Sequence, residues 1–329
     1  MKMMSNNLIG NTVLITGATG LIGKTIIKDI LAYNNISSLP INIVAVIRNQ
    51  QKANRIFGSN IPNLTYVVGD IASVDLSNVS TDYIIHAASQ TSSKAFVNNP
   101  VETTFVAIDG TRHLLEYART QKSLKRFIYL STMEVYGAPQ ADTKISEDHG
   151  TDIDTMDVRS CYPESKRMCE NLCTSYMKEY GVPINVLRLI QTFGPGVDYN
   201  DGRVFAEFAR CVIEKRDIVL KTAGLTKRSY LYTEDAVSAI LSVMEKGKAG
   251  EAYNAANEST YCSIREMAEL VANKVANGTI KVRIEEQDIT KFGYAPTLHM
   301  NLDTAKLQKL GWKPKTGLEE MYKKMIAAM

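Results

Sequence analysis

Short runs of β-branched and aliphatic residues alternate over the first 190 positions with stretches whose apolar residues return every three or four places. Unbroken apolar runs of this length predict strands covered on both faces, and the three-to-four return predicts the helices that cover them. The pattern places strands at 12–16, 41–47, 64–68, 83–86, 126–131 and 184–189, with helices beginning near Gly20, Pro100 and Tyr162. The second of these helices, over 101–119, sets Phe105, Ile108 and Leu115 at helical spacing. Strand and helix in alternation predict an α/β fold built on a doubly wound parallel sheet.

Beyond position 190 the pattern loosens. Residues 193–202 read as a loop from their Gly, Pro, Asp and Asn content. A helix is expected over 203–214, a strand reaching Tyr232, a helix over 234–246 and a strand at 252–255. A helix from Ser263, a polar β segment and a last helix near Leu318 complete the chain. The expected organisation is a first domain over 1–190 and a smaller, interleaved domain over 191–329, with about 233–256 returning to the first. No internal repeat or low-complexity tract interrupts it.

Composition narrows the partners. With 45% hydrophobic and 22% charged residues the chain reads as soluble and globular. A net charge of +3 without a long basic block argues against nucleic acid. The longest apolar runs are strand-sized and the first ten residues hold no signal-peptide stretch, so no membrane segment and a cytoplasmic location are expected. Five cysteines without a Cys-x-x-Cys pair argue against a disulfide framework or a metal site, and Cys169 and Cys173 read as buried thiols on one helix face.

The first strand runs directly into Gly17-Ala18-Thr19-Gly20-Leu21-Ile22-Gly23, whose G-x-x-G-x-x-G spacing departs from the usual G-x-G-x-x-G. Glycines at a strand-to-helix turn let the backbone approach a pyrophosphate lying on the positive end of the helix. An acid closing the second strand would bond the ribose 2′-hydroxyl of NAD; this chain has Arg48, with Lys52 and Arg55 behind it, which favours the 2′-phosphate of NADP. Asp70 and Ile71 are placed near the adenine, and Ala87, Ala88 and Ser89 along the pyrophosphate and ribose.

Tyr162 and Lys166 stand four residues apart, one turn on one helix face, where a phenol and an ammonium address one reacting hydroxyl. The ammonium is expected to favour the phenolate and lower the tyrosine pKa, making Tyr162 a base near neutral pH. Thr132, closing the fifth strand, can bond the same oxygen.

Together with His86-Ala87-Ala88, Val135-Tyr136-Gly137, Arg188, Phe193-Gly194-Pro195-Gly196, Arg228-Ser229-Tyr230 and Leu310-Gly311-Trp312, these motifs span nearly the whole chain. They resemble the extended short-chain dehydrogenase/reductase superfamily, in its nucleotide-sugar epimerase/dehydratase branch. The resemblance implies a Rossmann-type sheet, a Thr132-Tyr162-Lys166 triad and a nucleoside-diphosphate sugar as substrate. Tyr162 would take the proton from a sugar hydroxyl, usually at C4, while Lys166 holds the nicotinamide ribose. Arg228 would bind the diphosphate, with Arg203 as a second candidate. A homodimer through the helices near 101–119 and 165–180 is implied as well.

Three positions depart from the branch. Gln191 and Ala107 replace its asparagines, and Met133-Glu134 stands where sugar 4,6-dehydratases carry Asp-Glu. Elimination of water needs an acid that Met133 cannot supply, whereas Glu134 stays available as a base or hydrogen-bond acceptor, as in UDP-glucuronate decarboxylases. The expected order is therefore 4-epimerase first, decarboxylase and 4-keto-sugar reductase next, and dehydratase last. An epimerase that recycles one bound cofactor suits NAD, against the NADP preference of Arg48. A catalytically silent dinucleotide-sensing scaffold is the alternative from another class, and an intact triad argues against it.

Overall fold

The computed structural model describes residues 5–287 and 297–329. Residues 1–4 of the expected signal-free start, and 288–296 within the expected polar β segment, lie outside the described residues. The strands are β1 Thr12–Thr16, β2 Asn42–Ile47, β3 Leu64–Val68, β4 Tyr83–His86, β5 Arg126–Thr132, β6 Lys144–Ile145 and β7 Ile184–Leu189. They continue as β8 Gln191–Phe193, β9 Ile218–Leu220, β10 Lys227–Tyr232, β11 Ala252–Ala255, β12 Asn257–Ser263, β13 Val282–Ile284 and β14 His299–Leu302. The helices are α1 Leu21–Asn34, α2 Gln50–Phe57, α3 Ser93–Asn98, α4 Pro100–Thr120 and α5 Cys161–Tyr180. After them come α6 Val204–Ile213, α7 Thr233–Lys246, α8 Ile264–Leu270, α9 Ala305–Gln308 and α10 Leu318–Ile326.

Seven parallel strands form the main sheet in the order β11-β7-β5-β4-β1-β2-β3. Because successive side chains point to opposite faces, each strand feeds two cores. Val13, Ile15, Ile43, Ala45, Ile85, Ile128 and Leu187 face one side, where α1 and α7 contribute Ile26, Ile30, Ile240 and Val243. Leu14, Val44, Val46, Ile84, Phe127, Tyr129 and Val186 face the other, against Leu114 and Leu115 of α4 and Cys169 and Cys173 of α5. All five cysteines are free.

Chain direction across the sheet changes between β1 and β4, so their carboxyl ends open a crevice where an open α/β sheet takes its ligand. Every predicted strand of the first half is present. Two short helices, α2 and α3, were not expected; each buries a single residue, Ala53 and Phe96 respectively, and so shows little periodicity.

A second sheet, β12-β10-β14-β6 with β8 also on β10, covers the carboxyl-terminal edge. Its core holds Phe193 stacked on Phe205 at 4.6 Å, with Phe208, Tyr230, Met267 and Tyr322 around them. Ser263 starts α8 through a capping box with Glu266. Residues after 190 also serve the main sheet, since β11 pairs with β7 and α7 packs in the α1 core. Conversely β6, from the first half, pairs with β14. Trp312 is buried and donates from Nε1 to Ser238 Oγ of α7 at 2.9 Å, tying the tail to the main sheet's helical layer. Among the described residues no helix is long and apolar enough to cross a membrane.

Candidate active site

The carboxyl ends of β1, β2, β4, β5 and β7 and the start of the second sheet enclose one cleft of about 740 Å³. Gly17, Thr19, Gly20, Leu21, Ile22 and Gly23 line it at one side; Arg48, Asp70, Ile71, Ala87, Ala88 and Ser89 continue the wall. Thr132, Glu134, Tyr162, Lys166, Gln191, Arg203 and Arg228 line its other end. The candidate cofactor, catalytic and substrate residues thus meet in one space, while Arg55 and Ala107 do not line it.

The three glycines serve different needs. Gly17 has φ 63°, and a Cβ there would lie 2.7 Å from the Ala87 carbonyl, so this position needs both the left-handed backbone and the missing side chain. At Gly23 a Cβ would meet Gly17 O at 2.4 Å, which makes it the close-packing point of helix on turn. Gly20 precedes α1, and its added Cβ would meet only Gly17 O, at 3.1 Å, leaving an open side. A pyrophosphate fits that cradle at the amino end of a fourteen-residue helix. The buried Ser89 hydroxyl has no protein partner and supplies a further polar group on the same wall.

Arg48 is exposed at the end of β2, and Asn49 beside it caps α2 by accepting from Lys52 N at 2.8 Å. The cap turns the chain so that Arg48, Asn49 and Lys52 all border the cleft. Asp70 is exposed, its Oδ1 accepting from Ala72 N at 2.9 Å. Lys24 of α1 donates to Gly196 O at 3.1 Å and so fastens the Gly-rich loop to the helix that begins at the glycine turn.

At the opposite end, Tyr162 is buried and stacks on Phe96 of α3, ring centroids 4.2 Å apart and 8° from parallel. Burial pushes the phenol pKa well above its ordinary value and the Glu134 charge adds to this; a hydrogen bond from Thr132 and the charges of Arg159 and Arg203 oppose it. Lys166 does not acidify the phenol as expected. Its Nζ donates to Leu130 O at 2.9 Å and sits 4.8 Å from the Tyr129 ring centroid, and burial lowers its own pKa to about 8. Desolvation penalises charge on both groups, so the protein alone leaves the phenol protonated.

A charged network fixes this end from behind. Arg188 pairs with Glu170 at 2.7 Å and donates to the Tyr136 hydroxyl at 2.9 Å; Ser131 Oγ donates to Glu170, and Tyr136 to Asn254 Oδ1 at 2.7 Å. These contacts join β5, α5, β7 and β11 around the strand end that carries Thr132. Met133 is largely buried and Glu134 half-buried, and both line the cleft.

The three arginines differ in how far the protein already satisfies them. Arg203 is held by Asp201 through Nη2 to Oδ2 at 2.6 Å and Nε to Oδ1 at 2.9 Å, and lies over Phe205. Arg228 has one long contact, 3.5 Å to Gln191 Oε1, and a buried Nε without a partner, an orphan donor that suits a bound anion. Arg159 pairs with Glu134 at 2.9 Å and covers the Phe96 ring at 5.8 Å. Neither Arg159 nor Phe96 was singled out in the sequence. The position of Arg159 three residues before Tyr162 was the available signal, and Asp157, which accepts from Arg159 N at 2.9 Å, shapes the turn that aims it inward. Among the described residues no group of three or more His, Cys, Asp or Glu could hold a metal ion.

A glycine cradle at a switch point, with a Tyr-Thr-Lys group across the same cleft, defines a dinucleotide-dependent enzyme of the extended nucleotide-sugar type. The chain belongs to the NAD dependent epimerase/dehydratase family, whose model matches residues 13–256. It is similar to UDP-glucuronic acid decarboxylase 1 of Xenopus tropicalis, 29% identical over 315 residues that cover 95% of this chain and 71% of the relative. It is also similar to UDP-glucuronic acid decarboxylase 6 of Arabidopsis thaliana, 27% identical over 94% of this chain and 85% of the relative. Among solved structures, a UDP-glucose 4-epimerase of Thermotoga maritima with UDP-glucose superposes with a TM-score of 0.80 at 23% identity, covering 96% of this chain and 98% of the other. A UDP-N-acetylglucosamine 4-epimerase of Methanobrevibacter ruminantium M1 does so with a TM-score of 0.82 at 21% identity, covering 97% of each.

Proposed function

We propose that the protein oxidises the C4 hydroxyl of a nucleoside-diphosphate sugar as its first chemical step. What carries this is that Thr132, Tyr162 and Lys166 line the same cleft as the Gly17–Gly23 turn. A nicotinamide dinucleotide, when bound, supplies the hydride acceptor and donor. With the positive charge of an oxidised nicotinamide beside it to favour the phenolate, Tyr162 would take the hydroxyl proton, Thr132 would hold the same oxygen and Lys166 would offer its ammonium to the ribose. Arg228 receives the diphosphate on its unpartnered Nε, and Gln191 orients the sugar; Arg203, already neutralised by Asp201, contributes less. The division of labour gives residues 1–190 the dinucleotide and most of 191–329 the sugar.

The net outcome best matched by the geometry is 4-epimerisation. Met133 is buried where elimination would need an acid, and Glu134 is the carboxylate beside Tyr162. Decarboxylation is the second reading, favoured by the curated decarboxylase relatives and by a Glu134 held in the cleft. Arg48 and Lys52 at the end of β2 favour NADP, whereas NAD is the cofactor in a related solved complex, a UDP-glucuronic acid 4-epimerase of Bacillus cereus. Val101 and Phe105 on α4 and Met168 on α5 are exposed apolar side chains on the two helices through which a second copy of the chain would pack.

Incubation with UDP-, dTDP-, CDP- and GDP-sugars, with and without NADPH, followed by NMR, separates the outcomes. Turnover without added cofactor and without net redox change supports epimerase or decarboxylase. Strict NADPH consumption refutes both.

A further inference from the structure

Lys24 joins two parts of the chain that stand 172 positions apart. Its backbone N donates to Gly20 O at 2.9 Å and closes the first turn of α1 on the glycine cradle. Its side chain reaches the loop after β8, where Nζ donates to Gly196 O at 3.1 Å. Gly196 has φ 92°, and a Cβ there would meet Lys24 Nζ at 2.5 Å and Cε at 2.9 Å, so the loop offers bare backbone to the ammonium. Leu21, one turn earlier on the same helix face, packs against the second sheet's core, which includes Phe193 and Val197. Burial and the charges of Lys28 and Lys52 lower the Lys24 pKa, and Asp198 on the loop opposes them. Like charges on α1 and α2 and an acid on the loop thus favour the ammonium at the loop.

The loop itself is a stiff piece. Val197 N donates to Gly194 O at 3.2 Å, Asn200 N to Asp198 Oδ1 at 2.8 Å and Asp201 N to Asp198 O at 3.0 Å, while Arg210 of α6 donates to Asp201 O at 2.9 Å. Among the described residues that line the cleft, none falls within 193–202, whereas Gln191, Thr192 and Arg203 on either side do line it. Two routes therefore lead from the cleft to the loop, through Lys24 and along the chain from Thr192. Arg203, whose N donates to Asp201 Oδ1 at 2.9 Å, returns the loop's position to the cleft.

We infer that Lys24 is a positioning residue that carries occupancy of the dinucleotide site to the 194–203 loop and so sets Arg203 for the second ligand. This rests on the dinucleotide-dependent function proposed above and adds a coupling between its two ligands. A bound pyrophosphate fixes the glycine turn and the start of α1, Lys24 holds the loop to that helix, and the loop holds Arg203. The coupling is reciprocal, so a ligand on Arg203 also tightens the hold on the dinucleotide.

The test is hydrogen–deuterium exchange of the full chain with and without saturating NAD+ or NADP+, read in peptides covering 17–24 and 194–203. In the wild type a dinucleotide is expected to slow exchange in both at least about fivefold. In Lys24→Met, which keeps an unbranched stem without the donor, protection at 17–24 should persist and protection at 194–203 should fall below about twofold. Lys24→Arg, which keeps a cationic donor, should retain both. Gly196→Ala strikes the same contact from the loop and should lose the loop protection alone. Loop protection that persists in Lys24→Met, or that Lys24→Arg loses equally, overturns the inference. Should Lys24→Met lose its thermal unfolding transition, the wild type and Gly196→Ala decide: a wild-type loop left unprotected, or protection kept in Gly196→Ala, overturns it. A dinucleotide that protects neither peptide refutes the dinucleotide site itself, an outcome distinct from protection at 17–24 alone.

Discussion

Replacing the glycines of the β1-to-α1 turn one at a time separates packing from ligand approach. In Gly23→Ala the new Cβ would sit 2.4 Å from Gly17 O and 2.9 Å from Ala18 Cα, both backbone atoms that move only if the turn deforms. Overpacking of this kind costs about 1–3 kcal/mol, which in a chain of this size lowers Tm by roughly 1.5–4 °C. In Gly20→Ala the single close atom is Gly17 O at 3.1 Å, and the rest of the methyl points into open space on the cleft wall. Stability should move by less than about 1 °C. The methyl instead occupies the path of the pyrophosphate, and dinucleotide affinity falls at least about tenfold, or 1.4 kcal/mol. Gly202→Ala, with no atom within 4 Å, is the control. Thermal unfolding and fluorescence titration of NADP+ and NAD+ measure both effects. The assignment of the turn is refuted if Gly20→Ala keeps wild-type affinity for both dinucleotides, or if Gly23→Ala keeps the wild-type Tm.

Acid sensitivity should centre on His86, which is buried between Thr16 Oγ1 at 2.8 Å and Thr111 Oγ1 at 3.1 Å and whose pKa burial lowers to about 3, with the Lys166 charge adding to it. The unfolded chain takes the proton near pH 6.5 and the native one only near 3, so native stability falls as pH falls through that window, by about 5 kcal/mol at most. Denaturant midpoints between pH 7 and 4 should therefore drop less steeply in His86→Gln; an unchanged slope contradicts this. Arg48→Asp should shift the NADP-to-NAD affinity ratio at least about tenfold toward NAD, and an unaltered ratio would remove Arg48 from the cofactor site. Phe105→Glu, on the exposed α4 face, should convert a dimer to a monomer in sedimentation without altering Tm by more than about 2 °C. A dimer that persists places the interface elsewhere.

Most of the main sheet was legible because its inner strands are covered on both faces: Thr12–Thr16, Tyr83–His86 and Ile184–Leu189 stand where the apolar runs put them. Chemistry at the glycine turn and around Tyr162 was legible for a similar reason, since close backbone approach and one-turn spacing are local properties. What escaped was non-local. Phe96 reaches Tyr162 from a six-residue helix more than sixty positions earlier, and Arg159 meets Glu134 only because Asp157 turns the chain. The sign of the pKa shift at Tyr162 depends on how deeply it is buried and on where Lys166 places its donor, and four-residue spacing encodes neither. Phe105 was counted among the apolar positions of its helix, yet it is exposed, because helical spacing does not say which face the sheet takes.

The central claim is that Tyr162 begins the reaction by taking the proton from a sugar C4 hydroxyl. Single-turnover absorbance at 340 nm, with dinucleotide-loaded protein and the sugar nucleotide identified by the NMR panel, tests it most directly. Wild-type protein should show the reduced-nicotinamide band, and Tyr162→Phe, which keeps the Phe96 stack, should form it at least about a hundredfold more slowly. A band that forms in Tyr162→Phe at the wild-type rate would contradict the account.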